Sequence, residues 1–173
     1  MRVNGQTEGM KRNALNSLEQ LYDIKVPRDQ LYTEEMVNIL AEVTSAANRE
    51  VAVYIDRKGN VQDVRVGDSK TVSLIPAEGR RKETGTTGVR CIHTHPGGST
   101  ALSELDISTL KQLRLDMMIA IGALNGKITG VSAAILDVNM EKAEIFGPFS
   151  PMQTELHDLI ALVTERHKPG REL

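Results

Sequence analysis

Apolar and polar positions follow two different periods along this 173-residue chain. Leu15, Leu18 and Leu21 fall on one helical stripe with Thr7 ahead of them as a hydroxyl cap, which predicts a helix from Thr7 to about Leu21. Asp23 to Gln30 is polar and carries Pro27, which ends that helix. Thr33, Glu34 and Glu35 form a second helix start, a capping hydroxyl followed by acids against the dipole. Met36, Leu40, Val43 and Ala47 continue it at helical spacing. At Glu50 the period shortens. Val51–Asp56 and Val61–Val66 are β-rich runs separated by Arg57-Lys58-Gly59-Asn60, the pattern of a hairpin. Thr71–Ile75 reads as a third strand, and Gly79–Gly88, without apolar periodicity, as a surface loop. Val89–His93 is a further strand that runs into a glycine-rich turn. Ser103 opens a helix through Ile107 and Leu110. Met117–Leu124 and Lys127–Val138 are strands joined by Asn125-Gly126, a strong hairpin signal, and Ala143–Phe146 adds an edge strand. Ser150-Pro151-Met152-Gln153 begins a last helix with the stripe Met152, Leu156, Leu159, Ile160 and Val163, closed by Pro169-Gly170. This order predicts a protein of mixed α/β (α+β) class, a mixed β-sheet flanked by helices in three layers. It divides into an N-terminal helical segment (1–32), a sandwich domain (33–150) and a C-terminal helix (151–173), packed on the sandwich or leading to a further domain.

Composition narrows the function classes without choosing one. With 21 Lys+Arg against 23 Asp+Glu the formal net charge is −2, which gives no global reason to expect a polyanion. There is no Trp, and three Tyr and two Phe offer little for base stacking. A nucleic-acid reading rests only on Arg80, Arg81, Lys82 and Arg90, so no direct nucleic-acid binding is expected. The single cysteine, Cys91, rules out an intramolecular disulfide and the zinc sites built from several cysteines. The N-terminus lacks the apolar core of a secretory signal, and no apolar run is long enough for a bilayer. The expectation is a cytoplasmic protein without a membrane partner.

The chemistry concentrates between Ile92 and Asp106. His93 and His95 lie two apart at the end of an apolar strand, where alternate residues share a face, so both imidazoles can converge on one point. Pro96-Gly97-Gly98 turns the chain sharply, and Asp106 follows in the first turn of the next helix. Two imidazoles and a carboxylate with an open position make a catalytic-type metal ligand set. Ser103-x-x-Asp106 alone is an ordinary helix start, and a single buried histidine is often structural. Neither accounts for two histidines on one face of an apolar strand. Other His-x-His arrangements fail on simple grounds. The chain is too short for an amidohydrolase barrel of about 250 residues. It has glycine and serine where a metallo-β-lactamase puts Asp and His, and too few cysteines for a zinc deaminase. Cys91 can share the histidines' face as a third ligand or sit there as a small buried hydrophobe. His157 and His167 are expected at the surface, and Gly97-Gly98-Ser99 is a weak phosphate-cradle signal.

The run His93-x-His95-Pro96 followed by Ser103-x-x-Asp106 resembles the JAMM (MPN+) metalloprotease motif, shared in similar form by the RadC family. The resemblance implies a deaminase-like α/β/α sandwich and Zn2+ held by His93, His95 and Asp106. It also implies a glutamate as general base toward the attacking water and Ser103 as hydrogen-bond donor to the developing oxyanion. Glu50, at the start of a strand, is the matching glutamate, with Glu35 and Glu42 on the preceding helix as alternatives. The implied activity is zinc-dependent hydrolysis of peptide or isopeptide amides. A second resemblance covers nearly the whole chain. Leu21–Gln30, Asn48–Asp56, Val66–Ser69 and Arg90–Pro96 are similar to the N-terminal extension of some bacterial HflX-type GTPases. That setting implies a following GTPase domain and association with the ribosome. The chain itself carries no Gly-x-x-x-x-Gly-Lys-[Ser/Thr]. The alternative function is therefore a non-catalytic docking or regulatory module of such a GTPase.

Overall fold

The hairpin predicted around Gly59 lies at the heart of a seven-stranded sheet, because a second sheet partner covers its outer strand on each side. The computed structural model describes residues 2–68, 88–137, 139, 141–150 and 155–166. In chain order the elements are β1 (Val3–Gly5), α1 (Arg12–Gln20) with a 3₁₀ turn at Leu21–Asp23, α2 (Glu34–Ala47), β2 (Val51–Asp56) and β3 (Val61–Val66). β4 (Val89–Pro96), α3 (Glu104–Leu113), β5 (Met117–Leu124), β6 (Lys127–Leu136), β7 (Ala143–Phe149) and α4 (Glu155–Arg166) follow. The strands are ordered β1-β3-β2-β4-β5-β6-β7. β1 runs parallel to β3, and β4 parallel to β5, while the other neighbours are antiparallel.

Strand alternation sorts side chains onto two unequal cores. Val53, Ile92, Ile119 and Val131 join Leu18, Met36, Leu40 and Leu159 from α1, α2 and α4 in the larger cluster. Ala52, Tyr54, Cys91 and Met118 face the other way and meet Leu110 and Leu113 of α3. The fold is a mixed α/β sandwich: helices on both faces of a mixed sheet, as the element order predicted. The β4–α3–β5 crossover joins two adjacent parallel strands, and this is the unit that carries the chemistry.

The local signals explain most boundaries. Thr33 Oγ1 accepts from Met36 N at 3.1 Å and caps α2, which ends at Asn48 in the left-handed conformation (φ 52°). Asn125 and Gly126 both take positive φ (52° and 77°), as a tight hairpin turn needs. Gly59, at φ 90°, packs directly on the Val26 carbonyl, where a Cβ would clash. The N-terminal region differs from the pattern. Thr7 caps nothing: its amide and carbonyl close turns with Gly5 and Met10, and α1 starts at Arg12 behind Lys11, which has no side-chain cap. The same region, read as helical, also carries β1, which pairs with β3 at the sheet edge. β7 runs on to Phe149, and β6 ends at Leu136. The strand read at Thr71–Ile75, the basic run Arg80–Lys82, and the ends of the last helix at Met152 and Pro169 lie outside the described residues.

Candidate metal centre

β4 delivers its two histidines as the period-of-two argument requires. Arg90, Ile92 and Thr94 point to the α2 side, and Cys91, His93 and His95 point to the α3 side. The ring centroids of His93 and His95 are 4.7 Å apart, with the planes at 76°. Past the turn, Ser103 caps α3 in a reciprocal box. Its Oγ accepts from Asp106 N at 3.0 Å, and its N donates to Asp106 Oδ2 at 2.9 Å. That same Oδ2 lies 3.1 Å from His93 Nε2 and 3.8 Å from His95 Nε2. The helix start and the ligand set are thus one piece of geometry. The cap fixes the rotamer that aims the carboxylate at the imidazoles. Among the described residues, His93, His95 and Asp106 form a group whose ligand atoms all lie within 4.8 Å of one another, so they can hold a metal ion.

Two observations fit a cation at that point. His93 is fully buried, and among the described residues neither ring nitrogen has a hydrogen-bond partner: Nε2 is near Asp106 but not aligned with it. Orphaned buried nitrogens are rare in native proteins, and a cation accounts for Nε2. His95 Nδ1 meets the Ser99 carbonyl at 3.1 Å, and donation there sets the tautomer with the Nε2 lone pair facing the site.

The electrostatics separate the roles of the two carboxylates. Burial alone pushes the Asp106 carboxyl up. The adjacent His93, and then the Ser103 amide, outweigh burial and hold it below the usual carboxylate range. Burial lowers His95 toward its neutral, ligating form, and His93 adds to that. Glu50 stands one residue before β2, 6% exposed, with Oε1 3.9 Å from His95 Nε2. Burial raises its carboxyl to about 7; Asp106 and Asp68 push the same way and His93 opposes them. The structure therefore brings Glu50, His93, His95, Ser103 and Asp106 to one end of the β2–β4 pair. Glu35 and Glu42 are exposed on α2.

No protein-family model and no curated protein matches this chain.

Other readings find their places around the site. Cys91 is fully buried against Leu110 and Leu113, burial pushes its thiol up, and it lies outside the ligand group. Among the described residues, no helix is long and apolar enough to cross a membrane. Sequence reasoning passed over three supports. Thr94, between the two histidines, shares a 2.6 Å hydrogen bond with Thr44 of α2 and accepts from Val51 N at 3.0 Å. Thr129 Oγ1 donates to Gly98 O at 2.7 Å and pins the turn after His95. Gly122 lies beneath that turn, where a Cβ would stand 2.5 Å from Gly98 O. A lone glycine inside a buried strand such as Met117–Leu124 was the available signal, since it marks close backbone approach.

Proposed function

We propose that this chain is a zinc-dependent hydrolase of JAMM type that cleaves peptide or isopeptide amides, on a deaminase-like version of the three-layer sandwich. One observation carries the reading. Two strand histidines and a helix-capping aspartate converge within 4.8 Å, and a buried glutamate stands 3.9 Å from one of those histidines. A zinc ion bound by His93, His95 and Asp106 would supply Lewis acidity and bring the pKa of a coordinated water to about 7. The protein's part is proton handling and orientation. Glu50 Oε1, buried and 3.9 Å from His95 Nε2, is placed to accept a proton and return it to a leaving amine, and a bound cation would keep its carboxylate ionised and ready to do so. Ser103 Oγ uses a lone pair for the α3 cap, which leaves its hydroxyl proton free to donate to an oxyanion. The Ser99 carbonyl holds the His95 ring in place. The broader setting we propose, the N-terminal part of a ribosome-associated, cytoplasmic HflX-like GTPase, rests on the sequence resemblance alone.

Elemental analysis of purified wild type and His95→Ala tests the metal assignment. About one zinc per chain in the wild type, lost in the variant, is the expected result. Iron in place of zinc, or no metal at low micromolar zinc, overturns it. Turnover is tested on a panel of peptide and isopeptide amides. Asp106→Ala is expected to lose metal and activity together, and Glu50→Gln to keep metal and lose activity. A Glu50→Gln protein that retains full function in its cellular setting would favour the docking-module alternative.

A further inference from the structure

The end of the sheet opposite the metal centre carries a cleft of about 440 Å³ that the proposed hydrolysis does not use. Arg90 is the second residue of β4 and His95 the last but one, so the two sites are separated by roughly 16 Å of strand and face opposite sides of the sheet. The cleft lies between the segment before α2, the β2–β3 turn, the start of β5, and α4. Leu31, Met117, Ile160 and Val163 make an apolar wall.

Its polar side is cationic. Among the described residues, Arg28, Arg57, Lys58 and Arg90 line it, against one acid, Asp116. Arg57 grips Asp116 with two parallel bonds, Nε to Oδ2 at 2.8 Å and Nη2 to Oδ1 at 2.9 Å, which cancels that acid. The half-buried Arg90 guanidinium is fixed by neutral carbonyls: Nε donates to Leu31 O at 3.0 Å, Nη2 to Gln30 O at 3.2 Å and Nη1 to Asp56 O at 3.5 Å. Carbonyls orient it, the Asp116 and Asp56 carboxylates attract it without a direct hydrogen bond, and N–H donors remain to spare. Arg28 and Lys58 are exposed at the mouth. The Asp56 carboxylate is directed into its own turn, accepting from the amides of Lys58 and Asn60 and from Gln62. A surplus of positive charge therefore faces an apolar wall in a space of small-ligand size.

We infer that this cleft binds a small phosphate monoester with an apolar or aromatic body, the dianion meeting Arg28, Lys58 and Arg90 and the body lying against Leu31, Met117, Ile160 and Val163. Two guanidiniums and an ammonium lining one cleft suit a doubly charged phosphoryl group better than a single carboxylate. The inference is independent of the metal centre.

Isothermal titration of the full chain with phenyl phosphate, inorganic phosphate and benzoate tests it, with zinc present and with zinc chelated. Saturable binding of phenyl phosphate is expected, unchanged by zinc and at least roughly tenfold tighter than that of either other probe. The double variant Arg28→Gln/Lys58→Gln, at exposed positions that leave the fold intact, should weaken it by roughly tenfold or more. The inference is overturned by absence of saturable binding, by a double variant that binds as tightly as wild type, or by binding that requires zinc. Equal binding of phenyl phosphate and inorganic phosphate overturns the apolar half of the claim. Equal binding of benzoate overturns the phosphoryl half.

Discussion

Replacing the buried Glu50 by Gln should stabilise the metal-free protein while abolishing its proposed chemistry. The ordinary carboxyl value of 4.5 is raised to about 7 in the folded chain, chiefly by burial. Between those values the folded state keeps a proton that the unfolded state has released. Stability contributed by the neutral carboxyl is then complete below about pH 4.5 and is lost as pH rises toward 7. At 1.36 kcal/mol per unit the ceiling is about 3 kcal/mol, and structural relaxation brings the expected loss to about 2 to 3 kcal/mol. Gln has the shape of the protonated acid and no titration, so Glu50→Gln lacks this slope. Urea unfolding of metal-free wild type and variant across pH 4 to 8 measures it. The two proteins should be nearly equally stable at about pH 4, with the variant ahead by about 2 kcal/mol or more at about pH 8. Parallel curves across the whole range, or a variant less stable at high pH, would refute the claim that burial strains this carboxylate. The zinc-loaded proteins should show a smaller gap, because the cation favours the ionised glutamate.

Four further expectations follow from the geometry. Zinc at a hundredfold excess over its dissociation constant should stabilise the wild type by about 2.7 kcal/mol, read as a Tm rise of roughly 5 to 10 °C. Asp106→Ala should remove that rise, and its metal-free baseline should also fall by about 1 kcal/mol from the lost cap, both visible by thermal unfolding. Thr94→Val leaves a buried Val51 amide without its acceptor and deletes the Thr44 bond. It should cost about 1 to 3 kcal/mol in urea and expose the Val51 amide to hydrogen exchange. Gly122→Ala drives a Cβ into Thr129 Oγ1 and toward Gly98 O, so about 1 to 3 kcal/mol of stability and part of the zinc affinity should be lost together.

The chain announces its strands more clearly than their arrangement. The β-rich runs Val51–Asp56 and Val61–Val66, and the Asn125-Gly126 turn, are local signals, so their elements lie where the pattern puts them. β1 is three residues long, too short to show a period, and depends on pairing with β3, which no local signal encodes. Thr7 has the right side chain for a cap, but its backbone is committed to turns on leaving β1. Within the site, strand periodicity is enough to place His93 and His95 on one face. The return of Asp106 to them depends on the length and path of the Pro96–Leu102 turn, which Gly98, Thr129 and Gly122 shape from across the sheet. Those contacts are long-range, and only the lone glycine hinted at them.

Asp106 Oδ2 holds the Ser103 amide and faces both histidines, so the order of the first turn of α3 and the readiness of the ligand set are a single equilibrium. Linkage of this kind is reciprocal: whatever frays that turn must weaken cation binding by the same factor by which the cation suppresses the fraying. It also separates two acids that helices treat alike. Glutamate at this position would close the capping box as well as aspartate does, yet its extra methylene would carry the carboxylate past the imidazoles. A helix selected only for its own stability would have little reason to keep the shorter acid here.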